Sequence, residues 1–94
     1  MRIRSVRHKG LKRFLEKDSP RGLPGDKVER IRNMLTALIA ADSLDDLPAP
    51  PGWRLHPLTG DRRGTWSISV TGNWRLTFEI DGDEISNLDL EDYH

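Results

Sequence analysis

The sequence predicts an α+β fold, a small antiparallel twisted sheet with two N-terminal helices packed on one face. Apolar residues recur with a period near 3.6 before residue 43 and with a period of 2 after residue 65, so helices come first and strands follow. Clusters of Pro, Gly and Asp punctuate the chain between these stretches. At 94 residues with 35% hydrophobic content and no low-complexity tract, the chain is expected to form one domain over residues 1–94, with a single core.

Taken in order, Arg2 to Val6 is a candidate short strand on the strength of Ile3 and Val6. His8 to Lys17 places Leu11, Phe14 and Leu15 on one helical face, and Ser19-Pro20-Arg21-Gly22 breaks it. The second helix carries Val28, Ile31, Leu35, Leu38 and Ile39 on one stripe, with Asp26 in its first turn and Pro24-Gly25 marking its start. Ser43 to Gly52 is acidic and holds Pro48, Pro50 and Pro51, which requires a loop. Trp53 to Leu55 is strand-like and ends at His56.

Strong alternation begins at Trp66. Trp66, Ile68 and Val70 interleave with Ser67, Ser69 and Thr71, and Trp74, Leu76, Phe78 and Ile80 interleave with Asn73, Arg75, Thr77 and Glu79. Thr71-Gly72 supplies a turn between these strands, and Asp81-Gly82 a hairpin into a last strand near Glu84 to Leu90. Asn73, Arg75 and Thr77 are thus expected on the face away from Trp74 and Phe78, displayed to solvent or to a groove. Trp66 and Trp74 are read as core residues, since aromatic residues on an alternating face usually pack.

A zero net charge conceals a sharp division. Residues 1–32 hold eleven Lys/Arg against four Asp/Glu, whereas residues 81–94 hold six acids and no base. The basic segment suits phosphate, which Lys and Arg bind chiefly by displacing counterions. Its alternative is a solvated surface that pairs with the acidic end of the same chain. Absence of cysteine removes disulfides and thiolate metal sites. With no leader-like segment and no apolar run long enough to span a bilayer, a soluble cytoplasmic protein is expected, with no membrane partner.

The chemistry concentrates in the last forty residues. They contain His56, Arg62, Arg63, Asn73, Arg75, Asp92, Tyr93 and His94, groups able to move protons and hold phosphate. Metal-free RNA cleavage needs a base for the 2′-hydroxyl, an acid for the leaving 5′-oxygen and fixed positive charge for the phosphorane between them. Histidine serves either proton-transfer role near neutral pH, and an arginine on a rigid strand stabilises the equatorial oxygens. Of the three histidines, His8, His56 and His94, the last two could meet at one sheet edge. Their spacing along the chain offers no metal-ligand pattern, so neither a metal nor another cofactor is expected.

The string LHPLTGDRRGTWSISVTGNWRLTFEI, closed by LEDYH, resembles the HigB toxins of bacterial type II toxin–antitoxin modules, within the RelE superfamily of messenger-RNA interferases. The opening IRSVRHKGLKRFLEK is similar to the start of these toxins, so the resemblance covers most of the chain. It implies a RelE-like sheet with two helices and a ribosome-dependent endoribonuclease that cuts messenger in the A site. At matching positions His56, Arg75, Asp92, Tyr93 and His94 are the implied catalytic residues, with base and acid left open among His56, Asp92 and His94. Arg54, Arg62, Arg63 and Asn73 are the RNA-binding candidates. Thr59 stands where relatives commonly carry lysine. Implied partners are a HigA-type helix-turn-helix antitoxin, the ribosome with its messenger and, through the antitoxin alone, operator DNA. Two other readings are a ParE-like inhibitor of gyrase without nuclease activity and a degenerate module that only binds an antitoxin.

Overall fold

In the computed structural model, residues 1–92 are described. Five strands and two helices follow in the order β1 (Arg2–Ile3), α1 (Lys9–Lys17), α2 (Val28–Ala40), β2 (His56–Pro57), β3 (Thr65–Ser69), β4 (Trp74–Asp81) and β5 (Glu84–Asp92). The strands form one mixed sheet in the order β1-β5-β4-β3-β2. Neighbours are antiparallel from β2 through β5, as the alternation predicts, while β1 adds to the far edge parallel to β5. β1 and β5 can run parallel because the chain between them passes through both helices and the other three strands, a connection long enough to bring it back in the same direction.

α1 begins at His8, whose Nδ1 accepts the Leu11 N–H at 3.2 Å, and it stops at Asp18 in a left-handed conformation with φ 53°. It buries Gly10, Leu11 and Phe14. α2 buries Ile31, Met34, Leu35 and Leu38, whereas Ile39 is 49% exposed. The stripe therefore centres on Met34 and Leu35, and Ile39 lies about 100° beyond Leu38 around the axis. Asp26 falls in a short 3₁₀ turn, Gly25–Lys27, ahead of α2 rather than in its first turn.

Both helices cover the sheet face that carries Ile68, Leu76, Phe78, Ile85 and Leu88, all fully buried with Leu11, Ile31, Met34 and Leu38. Trp53, Trp66 and Trp74 pack against this core while partly exposed. α1 sits tightly on the loop that follows it. A Cβ added at Gly10 would lie 2.7 Å from the Gly22 carbonyl oxygen, a backbone atom with little room to move. Gly10→Ala is therefore expected to destabilise the fold by about 1–3 kcal/mol despite alanine's better helix propensity, measured as a fall in the urea midpoint at unchanged m. An unchanged midpoint would show that the loop yields freely.

Two local departures set the register of the functional face. The hairpin between β4 and β5 turns on Gly82 and Asp83, one residue later than the Asp81-Gly82 signal suggests, and Gly82 holds φ 64°. Further along, the register shifts between Thr77 and Glu79, where Asn87 adopts φ 53° and an extra residue enters β5. Ser5 secures this bulge: its hydroxyl accepts the Asn87 N–H at 2.8 Å and its carbonyl accepts the Leu88 N–H at 3.1 Å. Ile85 and Leu88, three residues apart, both reach the core as a result. Among the described residues no helix is long and apolar enough to cross a membrane.

Candidate active site

The sheet face opposite the helices carries polar residues in two cross-strand rows. His56 pairs with Ser67, Ser67 with Thr77, and Thr77 with Asp89. Two residues further along, Ser69 pairs with Arg75, and Arg75 with Glu91. Directly opposed residues share a face at about 5 Å, and alternate residues along a strand are about 7 Å apart. The backbones of His56 and Arg75 are then roughly 12 Å apart on this face by the same spacings.

His56 starts the short edge strand β2 and is exposed. Here the chain departs from expectation, because Pro51–Trp53 is a 3₁₀ turn and the strand starts at His56 instead of ending there. Proline's fixed φ favours the turn, and Arg54, left-handed at φ 49°, ends it. The Arg54 carbonyl then lies 2.5 Å from His56 Nδ1. A carbonyl only accepts, so Nδ1 carries a proton and, in the neutral ring, Nε2 holds the lone pair. Arg54 thus contributes a backbone oxygen that sets the tautomer, while its side chain is exposed.

Glu91 is the hub of the second row. Both its oxygens accept from Arg62, at 2.8 Å from Nη1 and 2.6 Å from Nη2, a fork-to-fork pair. Arg75 Nη2 donates to the same carboxylate at 3.5 Å, and the Thr77 hydroxyl donates to Oε2. The Arg62 bond, helped by Thr77 and the charge of Arg75, holds the Glu91 carboxyl at about 2 against a partial desolvation that opposes it. The same bond raises Arg62 above its already high value.

That shift has a testable sign. A carboxyl depressed in the folded state contributes stability above its ordinary value of 4.5, and the contribution fades as pH falls from there towards about 2. Glu91→Gln is expected to lower the unfolding free energy at pH 6 by roughly 2–3 kcal/mol. In urea titrations the gap between wild type and variant should narrow steadily below pH 4.5 and shrink to about a quarter of its size by pH 2.5; a gap that stays constant with pH would contradict the assignment.

This hub alters the expected picture of the strand face. Arg75 and Thr77 are not openly displayed: the Arg75 side chain is 18% exposed and Thr77 is 1% exposed. The cause is the Gly60–Arg62 turn, which brings Arg62 over the face to meet Glu91 above Thr77. Ser67 is equally buried, and among the described residues its hydroxyl has no hydrogen-bond partner. Asn73 lies exposed in the bend before β4, off the strand face on which the alternation placed it. Arg63 is exposed just past the turn, and Thr59 precedes that turn, its carbonyl accepting the Arg62 N–H at 3.3 Å.

The structure brings together His56, Arg62 and Arg75 on one face and leaves Asp92 on the other. Asp92 pairs with Trp74, next to the buried Leu76–Leu90 pair, so strand alternation sets it on the helix side. Tyr93 and His94 lie outside the described residues. Glu91 is the residue that sequence reasoning passed over, counted only among the six acids of residues 81–94. His8 is a helix cap. The basic segment meets the acidic one through Arg2 and Glu84 at 2.9 Å, but Glu91 is turned instead to Arg62 and Arg75. Among the described residues no three His, Asp or Glu side chains gather into a metal-holding group.

Comparison with known proteins agrees with this architecture. A family model described as the RelE-like toxin of type II toxin–antitoxin system HigB matches residues 4–94. The chain is 44% identical over 92 residues to endoribonuclease HigB of Proteus vulgaris, covering 98% of this chain and 99% of that one. It is 37% identical over 76 residues to toxin HigB-1 of Vibrio cholerae, covering 79% and 80% respectively. Among solved structures, a YafQ point mutant from E. coli superposes with a TM-score of 0.65 at 19% identity, over 98% of this chain and 93% of that one. A YoeB/ParE toxin from Agrobacterium tumefaciens gives 0.64 at 15% identity over all of both chains. At such identities these two speak for the fold. The family model spanning nearly the whole chain and the 44% identical relative settle the lineage: the chain belongs to the HigB family of RelE-like toxins of type II toxin–antitoxin systems.

Proposed function

We propose that this chain is an endoribonuclease toxin that cuts messenger RNA in the ribosomal A site and so arrests translation. The observation that carries the reading is the His56 imidazole, held through Nδ1 by the Arg54 carbonyl with Nε2 unengaged by that bond, on the sheet face that also holds Arg75. The name of the Proteus vulgaris relative, an endoribonuclease, supports it.

The chemistry follows from the groups present. A base takes the 2′-hydroxyl proton, O2′ bonds to phosphorus, and the P–O5′ bond breaks as an acid protonates O5′. The products are a 2′,3′-cyclic phosphate and a 5′-hydroxyl. His56 takes one proton-transfer role and His94 the other, with Tyr93 orienting or stacking on a base; Asp92, on the opposite side of its strand, is left out of the transfer. Arg75 offsets the charge that grows on the phosphorane. Arg54, Arg63 and Asn73, all exposed around this face, contact the flanking RNA. Arg62 supplies a guanidinium three residues after Thr59.

The partner is an antitoxin, as for YafQ, which has been solved in a toxin–antitoxin complex with DinJ. A helix-turn-helix protein of the HigA type fits the family, with the ribosome in the cytoplasm as the site of action. The test is a purified translation system in which the same messenger is offered alone and programmed onto ribosomes. Cutting confined to the ribosome-bound messenger is the expected result. If translation proceeds at full rate and the messenger remains whole, the nuclease reading falls and a fold that only binds its antitoxin takes its place.

A further inference from the structure

We infer that Glu91 is a positioning residue for the cleavage reaction, holding the guanidinium groups of Arg62 and Arg75 together on the His56 face so that a phosphate meets a preset pair of cations. The inference rests on the ribonuclease reading above and adds a residue with no proton-transfer role.

Three features of the geometry support it. Glu91 joins two arginines that come from different elements, the Gly60–Arg62 turn and strand β4, and is itself in register opposite Arg75. The carboxylate is 22% exposed and fixed by the buried Thr77 hydroxyl, so its direction is set by the sheet and not by solvent. Two guanidinium groups share the Glu91 carboxylate, and the charge of Asp89, in the neighbouring cross-strand row, also acts on Arg62. Arg62 uses two of the roughly five donors of a guanidinium on Glu91, leaving others for a ligand. A side chain already held in place loses less freedom when the phosphate arrives, and alignment of that kind lowers the barrier and not merely the binding energy.

Glu91 is not the acid or base. A carboxyl near 2 is deprotonated throughout the working range and a weak acceptor of protons, poorly matched to transfer near neutrality. The competing explanation is a plain structural bridge tying the turn to the sheet. Removing such a bridge lowers stability but does not act on the chemical step through Arg75.

The experiment measures single-turnover cleavage of ribosome-programmed messenger by wild type, Glu91→Gln, Arg75→Ala and the double variant, each confirmed folded by its melting curve. Affinity for ribosomes carrying a messenger with a 2′-deoxy cut site is measured in parallel. Glu91→Gln is expected to slow cleavage by about tenfold or more while binding the uncleavable complex as tightly as wild type or more so, because the protein gains one positive charge. In the Arg75→Ala background the same change is expected to cost less, about threefold, since the preset pair is already broken and only the hold on Arg62 remains. Equal losses in both backgrounds, or a Glu91→Gln rate within about twofold of wild type, would overturn the inference. Should Glu91→Gln fail to fold, Thr77→Val, which removes only the hydroxyl beneath the carboxylate, is expected to slow cleavage by about threefold at unchanged affinity, and an unaltered rate would overturn the inference equally. A wild type that cuts nothing removes the ribonuclease reading itself, whereas a wild type that cuts beside an equally active Glu91→Gln removes only the role of Glu91.

Discussion

His56→Ala is expected to slow cleavage of ribosome-bound messenger by a factor on the order of 10²–10⁴ while leaving the protein folded. The size follows from losing a positioned proton carrier. Retention of the fold follows from the location of the residue: it is exposed, on a two-residue edge strand, and its ring bond is to the neighbouring Arg54 carbonyl. Such surface changes usually alter stability by less than about 0.5 kcal/mol. Single-turnover rates on programmed ribosomes, with melting curves alongside, separate the two effects. Near-normal cutting by a folded His56→Ala protein would move the proton transfer wholly to other groups. His56→Gln is the informative companion, because its amide can donate to the Arg54 carbonyl but cannot carry a proton near neutral pH; it should be as inactive as the alanine variant.

Phe78→Ala is expected to cost about 3–5 kcal/mol, a large part of the roughly 5–15 kcal/mol that stabilises a domain of this kind. Phe78 is fully buried at the centre of β4. It pairs with Trp66 on β3 and lies at the bulge of β5, on the face covered by both helices. Its loss leaves a cavity that the surrounding sheet cannot collapse into without moving Thr77 and Glu79 on either side. The measurement is the chemical denaturation midpoint, and antitoxin binding should recover part of the loss by mass action if the antitoxin engages the folded toxin. A cost below about 1 kcal/mol would mean that the core repacks around the gap, contrary to the tight packing described here.

The helices, the alternating strands and the helix-covered face were legible because each rests on a period that local sequence displays. Leu11 and Phe14, or Leu76 and Phe78, declare their face by spacing alone. The pairing of β1 with β5 was not legible, since a two-residue strand has almost no pattern and its partner lies more than eighty residues away.

The site divides along the same line. His56 and Arg75 stand out as residue types able to do this chemistry, but which acid faces Arg75 depends on the bulge at Asn87. Counting back from the Asp81–Glu84 pair without a bulge puts Leu90 opposite Arg75 and leaves Asp92 on Arg75's face. One extra residue reverses both assignments, bringing Glu91 to Arg75 and turning Asp92 towards Trp74. The bulge is held by Ser5, a contact from the other end of the chain that no local reading contains. Burial of Thr77 has a similar origin, since Arg62 crosses the face only because the Gly60–Arg62 turn folds over it.

The central claim is that this face cuts RNA through the 2′-hydroxyl, with His56 moving a proton and Arg75 steadying the phosphorane. It is tested most directly by the chemistry of the ends that wild-type protein leaves on a messenger stalled in a purified translation system. Breaks are expected within the A-site codon, with a 2′,3′-cyclic phosphate on one side and a 5′-hydroxyl on the other. Fragments bearing a 3′-hydroxyl and a 5′-phosphate would contradict the claim, because those ends arise from water attacking phosphorus and leave the 2′-hydroxyl unused.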